Sequence, residues 1–183
     1  MIRLGVRGER MLHLLIRDAR PEDRDAIRAV TLAAYEEYAA QMPADHWEAY
    51  RWNILATLEQ VAPAEQLVAE RDGAVVGTVL LYPPRSLSPT QDEVSLATPW
   101  PEVRLLAVAP AGRGGGVGAA LMEECVRRAR RSGTTALGLH TTDMMQAAMR
   151  MYARMGFVRA PELDFHPLPG LTIKGYRLDL STT

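Results

Sequence analysis

The order of hydrophobic and polar residues predicts two helices in the first third of the chain. Apolar residues recur at helical spacing after Pro21, where the proline and the acidic Glu22 and Asp23 favour a helix start. A second stretch with the same spacing ends at Pro63, which cannot continue a helix. The positions that share a face are Ile27, Val30, Thr31, Ala34 and Tyr38 in the first helix and Trp47, Tyr50, Ile54, Leu58 and Val61 in the second.

Strand patterns flank the two helices. A short apolar run over 14–17 precedes the first helix, and β-type runs over 66–71 and 74–82 follow the second. The dipeptide Asp72-Gly73 between the latter two is typical of a two-residue hairpin turn. A proline-rich loop is predicted over 83–101.

The second half of the chain alternates strands and helices. A strand over 102–108 leads into a glycine-rich turn and a helix to about Ser132, which Gly133 closes. After a buried strand over 136–141, Asp143 and Gln146 resemble a capping box. They predict a helix that runs to Met155 and ends at Gly156, followed by strands over 157–159 and 172–180 with a turn over 167–170 between them. This alternation around a mixed sheet indicates an α/β or α+β fold.

Composition indicates one ordinary globular domain. The 183 residues are 48% apolar and 23% charged with a net charge of −1, which argues against a general nucleic-acid binder. We expect a single domain over 1–183, with residues 1–11 as a flexible extension and translation starting at Met1 or Met11. The apolar run over 11–16 is too short for a signal peptide, and no stretch approaches the ~18 to 20 apolar residues of a membrane span. The expectation is a cytoplasmic protein with no membrane or nucleic-acid partner.

Cysteine and histidine give little sign of metal or thiol chemistry. The single cysteine, Cys125, shares helical spacing with Leu121 and Ala129, which favours a buried core thiol over a catalytic one. Three histidines are scattered without ligand spacing: His13, His46 and His166. No metal is therefore predicted.

The turn after the strand over 102–108 carries the strongest functional signal. Its glycines let the backbone approach a ligand, and the free N–H groups and dipole of the following helix favour a phosphate. The dinucleotide fingerprint G-x-G-x-x-G fails, because its last position falls on Ala119 or Leu121. The P-loop fails because the only lysine is Lys174. What remains is the pattern R-x-x-G-x-G over 113–118.

That pattern, between a strand and a helix, resembles the pyrophosphate-binding motif of GNAT-type N-acetyltransferases, which hold acetyl-coenzyme A. The segment A-x-x-x-Y-x-x-x-G-F over 148–157 resembles a signature of the same superfamily, and the order of elements fits from 14 to 180. The resemblance implies a mixed, mostly antiparallel sheet of six to seven strands, flanked by about four helices and containing a splayed central strand pair. It also implies acetyl-CoA as cosubstrate and a homodimer as one possible assembly.

The resemblance assigns roles to particular residues. The backbone of Leu106, Ala107 and Val108 would pair with the pantetheine arm as an added strand does. Tyr152 would protonate the departing thiolate, with core packing as the alternative. Glu102 would remove the amine proton, with an ordinary solvated strand-end charge as the alternative. The pyrophosphate would lie against Arg113, Gly114, Gly115, Gly116, Val117, Gly118 and Ala119.

Three features stay open at this point. Many relatives have asparagine where this chain has Met145, so a pantetheine contact there stays open and Met145 is not assigned to the site. His140 ends a buried strand, and it either lines the acceptor site or is a hydrogen-bonded core histidine. The cluster of Arg127, Arg128, Arg130 and Arg131 is either a solvated helix face or an outer binding surface for a coenzyme A phosphate.

The acceptor is predicted to be a small-molecule amine or a peptide or protein amine. Aromatic and acidic residues concentrate in the first two helices, and an amine cation suits such a surface. Glu36, Glu37 and Asp45 are its solvent-facing candidates. The alternatives to an acetyltransferase are a non-catalytic acyl-CoA-binding or regulatory module and a nucleotide-binding protein of another class.

Overall fold

The computed structural model describes residues 14–84, 98–168 and 171–181. Its first half contains β1, α1, α2 and the hairpin of β2 and β3. Three predicted features lie outside the described residues: the 1–11 extension, the two candidate start methionines, and most of the loop over 83–101. The bounds in the first half are Leu14–Asp18 for β1, Arg24–Tyr35 for α1, Ala44–Glu59 for α2, Glu65–Arg71 for β2 and Ala74–Tyr82 for β3.

The second half contains five strands and two helices within the described ranges. The strand over 102–108 and the helix after the glycine turn are confirmed, and β7 was not predicted. The bounds are Glu102–Val108 for β4, Val117–Arg131 for α3, Ala136–Thr141 for β5, Gln146–Arg154 for α4, Val158–Arg159 for β6, Phe165–Leu168 for β7 and Leu171–Asp179 for β8.

The strands form one mixed sheet in the order β1-β2-β3-β4-β5-β8-β6, with β7 also paired to β8. All pairs are antiparallel except β4 with β5. The hairpin turn is confirmed, since Arg71 pairs with Ala74 and both turn residues have positive φ, 51° at Asp72 and 80° at Gly73. Within the described residues the predicted mixed α/β architecture is therefore correct.

Helices cover both faces of the sheet. The apolar face of α3 packs with β2 to β5 in a cluster that includes Leu121 and the fully buried Cys125. Burial raises the pKa of that thiol to about 12, so the buried core interpretation is confirmed. On the other face, Val30 of α1 and Ile54 of α2 pack with Ala107 of β4. The residues of β4 thus alternate between two cores.

Several predicted helix boundaries are wrong. Pro21–Asp23 is a single 3-10 turn before α1, Tyr38 lies in a second 3-10 segment over Glu36–Gln41, and Val61 lies beyond α2. The capping box is also wrong, because α4 begins at Gln146. The carboxylate of Asp143 instead pairs with Lys174 at 2.5 Å, and the Gln146 amide donates to the Asp143 carbonyl. The ion pair draws the side chain away from the helix N-terminus.

Candidate active site

The site is built on a parallel strand pair that separates after two residues. β4 and β5 pair only at Glu102 with Gly138 and at Val103 with Leu139. Beyond Val103 the chain bulges, because the register with β3 shifts and Leu105 adopts a φ of 47°, a conformation that is rare for a branched side chain. The predicted splayed central pair is confirmed. The backbone of β4 beyond the bulge is no longer paired with β5.

A cleft of about 230 Å³ opens where the two strands separate. Its walls come from β4, from α4 and from the end of α1 with the segment after it. Of the predicted pantetheine residues, Leu106 and Val108 line the cleft, whereas the Ala107 side chain is buried on the opposite face of the sheet. The cleft is also lined by Met145, the position that the sequence left open, and by Glu37, Tyr38, Arg104, Arg113, Gly118, His140 and Tyr152.

The glycine turn lies at one end of this cleft and leads into α3. Gly114 and Gly116 have φ of 78° and 73°, which an L side chain adopts only with strain, and a Cβ at either would meet open space. Gly116 is the N-cap of α3, and no described side chain caps that helix. The first N–H groups of α3, from Val117 to Ala119, therefore lack helical partners, as at anion-binding helix starts.

Arg113 is held by an acidic residue from another element. Its guanidinium donates to both carboxylate oxygens of Glu37, at 2.6 and 3.1 Å, and to the carbonyl of Ala34 at 3.2 Å. Hydrogen bonds from Arg113 lower the pKa of Glu37. This pair ties the glycine turn to the 3-10 segment after α1. Sequence reasoning missed it, because the partners are separated by 76 positions.

Tyr152 lies on the opposite wall. It is 6% exposed, its ring packs 5.8 Å from that of Phe157, and burial raises its pKa well above the ordinary 10. None of the described residues hydrogen-bonds its hydroxyl, although the ring lines the cleft. The phenol is thus both part of the core and a protonated group beside the cleft.

Glu102 lies behind the cleft wall rather than on it. The residue is 4% exposed and its carboxylate accepts hydrogen bonds from Arg104 at 3.0 and 2.9 Å. Nδ1 of His140 lies 3.0 Å from the same carboxylate. Burial raises the pKa of this carboxyl, but the hydrogen bonds of His140 and Arg104 outweigh that effect and the pKa is lowered. The solvated strand-end interpretation is therefore wrong.

His140 is the residue that connects Glu102 with the cleft. Its Nε2 lies 2.9 Å from the carbonyl of Leu163, which can only accept, so Nε2 carries a proton. Nδ1 faces the Glu102 carboxylate, so the pair can take up a proton between these two groups. Both earlier interpretations of His140 hold, since it is hydrogen-bonded and also lines the cleft. The contact between the two residues follows from the parallel pairing of β4 with β5, which places residues 102 and 140 near each other.

The aromatic residues near the cleft form a connected group. The rings of Tyr35 and Tyr38 are 6.1 Å apart, those of Tyr35 and Tyr50 5.9 Å, and those of Trp47 and Tyr50 6.3 Å. Of the three predicted acidic acceptor residues, only Glu37 lines the cleft; Glu36 and Asp45 are exposed elsewhere. Of the three acidic residues predicted to face an acceptor, Glu37 is therefore the one that lies beside the cleft.

The arginine cluster at the end of α3 is largely occupied by ion pairs. Arg128 bonds Glu124 at 2.7 Å and Asp18 at 2.7 Å, and it also pairs with Glu65. Arg127 pairs with the buried Glu124. These contacts tie α3 to β1 and to the start of β2, which supports the structural interpretation of the cluster.

Within 14–84, 98–168 and 171–181, no group of three or more histidine, cysteine or acidic residues is arranged to hold a metal ion. None of the helices in those ranges combines the length and apolarity that a membrane crossing requires.

Comparison with known proteins identifies the family. The model of the acetyltransferase (GNAT) family matches residues 8–157, so this chain belongs to that family. A mycothiol acetyltransferase from Parafrankia sp. (strain EAN1pec) is 32% identical in an alignment over 148 residues, and the match covers 73% of this chain and 46% of that protein. The chain thus spans about half the length of that relative.

Solved structures agree with this assignment. A GNAT family acetyltransferase from Brucella melitensis, crystallised with acetyl-CoA, is 25% identical, covers 93% of this chain and 90% of its own, and has a TM-score of 0.61. A GCN5-related N-acetyltransferase from Rhodopseudomonas palustris shares the fold with a TM-score of 0.70 at 20% identity, covering 94% of this chain and 100% of its own. The predicted family, which is one of acetyltransferases, and the predicted fold are confirmed.

Proposed function

We propose that this acetyltransferase moves the acetyl group of acetyl-CoA directly to a primary amine within a ternary complex. The observation that carries the proposal is that Tyr152 and His140 both line the cleft at the splayed strands, with Glu102 in contact with His140 from behind the wall. A proton donor and a proton-accepting unit therefore flank one reaction volume.

The donor lies along β4 in this proposal. The pantetheine arm pairs with the backbone of Leu106, Ala107 and Val108, whose strand has lost its β5 partner. The pyrophosphate lies over the turn from Gly114 to Gly116 and meets the free N–H groups of Val117, Gly118 and Ala119. Arg113 shapes this turn through its bonds to Glu37 and Ala34.

The chemistry needs two proton movements. The amine nitrogen attacks the thioester carbonyl carbon, a C–N bond forms, and the C–S bond breaks as the tetrahedral intermediate collapses. The departing thiolate takes the proton of the Tyr152 hydroxyl, which burial keeps protonated. The proton lost by the amine passes through water to the Glu102–His140 pair. A cysteine acyl intermediate is not part of the proposal, since Cys125 is buried in the core.

The acceptor enters from the side of α1 and carries a cationic amine. Tyr38 lines that mouth of the cleft beside the Glu37–Arg113 ion pair, and its aromatic ring attracts an ammonium. Small amines, peptide N-termini and lysine side chains all have this chemistry.

Thiol release with varied acceptors tests the proposal. Purified protein with acetyl-CoA is assayed against primary amines, aminoglycosides, peptide N-termini and lysine peptides, and initial rates are measured with both substrates varied. Intersecting double-reciprocal lines are expected for a ternary complex, whereas parallel lines would contradict direct attack. Coenzyme A binding without acceptor-dependent thiol release would instead identify a non-catalytic acyl-CoA-binding module.

A further inference from the structure

We infer that Arg71, rather than Arg113, supplies the guanidinium that binds the pyrophosphate of coenzyme A. This inference rests on the proposed placement of the pyrophosphate over the glycine turn. Sequence motifs give no sign of Arg71, which ends β2 and lies 44 positions before the turn. The fold brings the two together, because the N–H of Ala109 donates to the Val76 carbonyl of the hairpin at 2.9 Å.

The guanidinium of Arg71 lies directly against the turn. Its Nη2 lies 3.4 Å from the carbonyl oxygen of Gly115, and a Cβ on Gly115 would approach Nη2 to 2.7 Å. Gly114 and Gly116 are required by their positive φ, and a side chain at Gly115 would have to displace the flexible end of Arg71. The guanidinium therefore lies against the backbone of the turn.

The charge of Arg71 has no counter-ion among the described residues. No carboxylate of the described residues lies within 4.0 Å of its nitrogens, and its buried Nε has no hydrogen-bond partner there. It also lies beside the uncapped N-terminus of α3, whose dipole is positive at that end. Two positive groups beside one turn favour a bound anion, and a pyrophosphate offers oxygens to both.

Arg113, in contrast, already has a counter-ion. Glu37 neutralises it through two hydrogen bonds, and Ala34 takes a third. Moving its guanidinium to a phosphate would leave the Glu37 carboxylate without that partner. Arg71 can bind phosphate without breaking an ion pair.

Titration calorimetry with coenzyme A tests the assignment without reference to turnover. Arg71→Gln is expected to weaken binding roughly tenfold or more, to reduce its salt dependence, and to be partly rescued in Arg71→Lys. Arg113→Gln should weaken coenzyme A binding less than Arg71→Gln does. Arg51→Gln, which removes an exposed charge on α2, should bind as wild type. Unliganded melting temperatures check that each variant is folded.

Ligand choice separates the possible outcomes. Arg71→Gln should weaken coenzyme A and 3′-dephospho-coenzyme A by the same factor, because both carry the pyrophosphate. A loss confined to coenzyme A would assign Arg71 to the 3′-phosphate and overturn the inference, as would wild-type affinity in Arg71→Gln. Failure of the wild-type protein to bind coenzyme A at all would instead contradict the proposed function.

Discussion

Nδ1 of His140 lies 3.0 Å from the carboxylate of Glu102, and the two residues come from the parallel strands that separate just beyond them. Arg104 holds the same carboxylate from the other side. The lowered pKa of Glu102 keeps the carboxylate ionised at neutral pH, where its contact with Nδ1 fixes the orientation of the imidazole. Only His140 and Arg104 of this group line the cleft. Glu102 therefore acts on the amine through His140 in the proposed mechanism.

Glu102→Gln and His140→Gln should each lower kcat and make kcat/KM rise more steeply with pH. Without the pair, the acceptor must arrive already deprotonated, and its neutral fraction increases with pH. If the two residues act as one unit, the double variant should be little worse than either single variant. A pH profile identical to that of wild type would contradict the relay, and additive losses would contradict the coupling. Melting temperatures are needed as a control, because Arg104 also loses its carboxylate partner in Glu102→Gln.

Tyr152→Phe should lower kcat by roughly 10² or more while coenzyme A affinity and stability change little, because only a hydroxyl is lost. Tyr50→Phe is the matched control, since Tyr50 is a partly buried tyrosine that belongs to the aromatic group beside the cleft. The deficit of Tyr152→Phe should shrink with an acetyl thioester whose thiol has a lower pKa, since that leaving group needs no proton. Full turnover in Tyr152→Phe would leave the residue with a packing role only.

The sequence predicted most elements of this fold because the patterns that define them are local. Hydrophobic spacing located the helices, and Asp72-Gly73 located the hairpin, whose turn residues take the positive φ that such a turn demands. The start of α4 was misjudged because Asp143 pairs with Lys174, 31 positions away. The bulge at Leu105 had no sequence signal, since leucine does not favour positive φ.

The residues of the site show the same difference between local patterns and contacts made by residues distant in sequence. Tyr152 and the glycine turn lie in continuous motifs, so they could be found from the sequence. Arg71 and Glu37 contact the turn from positions 44 and 76 residues away, and only the folded chain brings them there. The parts of the site that determine charge were therefore the least predictable, because ion pairs form between distant elements.

Gly116→Asp should weaken coenzyme A binding by at least ~1.4 kcal/mol, or tenfold, because it places a negative charge where the pyrophosphate is proposed to lie. Gly116→Asn has nearly the same shape and strain, so the difference between the two variants isolates the charge. Gly133→Asn measures strain alone, since Gly133 has a φ of 74° and open space around it at the far end of α3. Calorimetry with equal affinities for Gly116→Asp and wild type would remove the turn from the site.

Asp23 should contribute stability that is lost in acid. Arg17 bonds both of its oxygens, at 2.6 and 2.9 Å, and the N–H of Arg20 donates at 2.7 Å, so the pKa of this carboxyl falls from 3.8 to about 2. A depressed pKa means that the contribution, about 2 kcal/mol, is present above pH 4 and disappears as the pH falls through about 2.

Urea unfolding of wild type and Asp23→Asn at a series of pH values measures this contribution. The variant should be less stable at pH 7, and the gap in free energy of unfolding should narrow progressively below pH 4, because Asp23 of the unfolded chain binds a proton there while that of the folded chain is still ionised. Asp25→Asn, an exposed change in the same segment, should show no comparable gap at either pH. A gap that stayed constant down to pH 2 would mean that Asp23 acts by packing and helix geometry and not through its charge on Arg17.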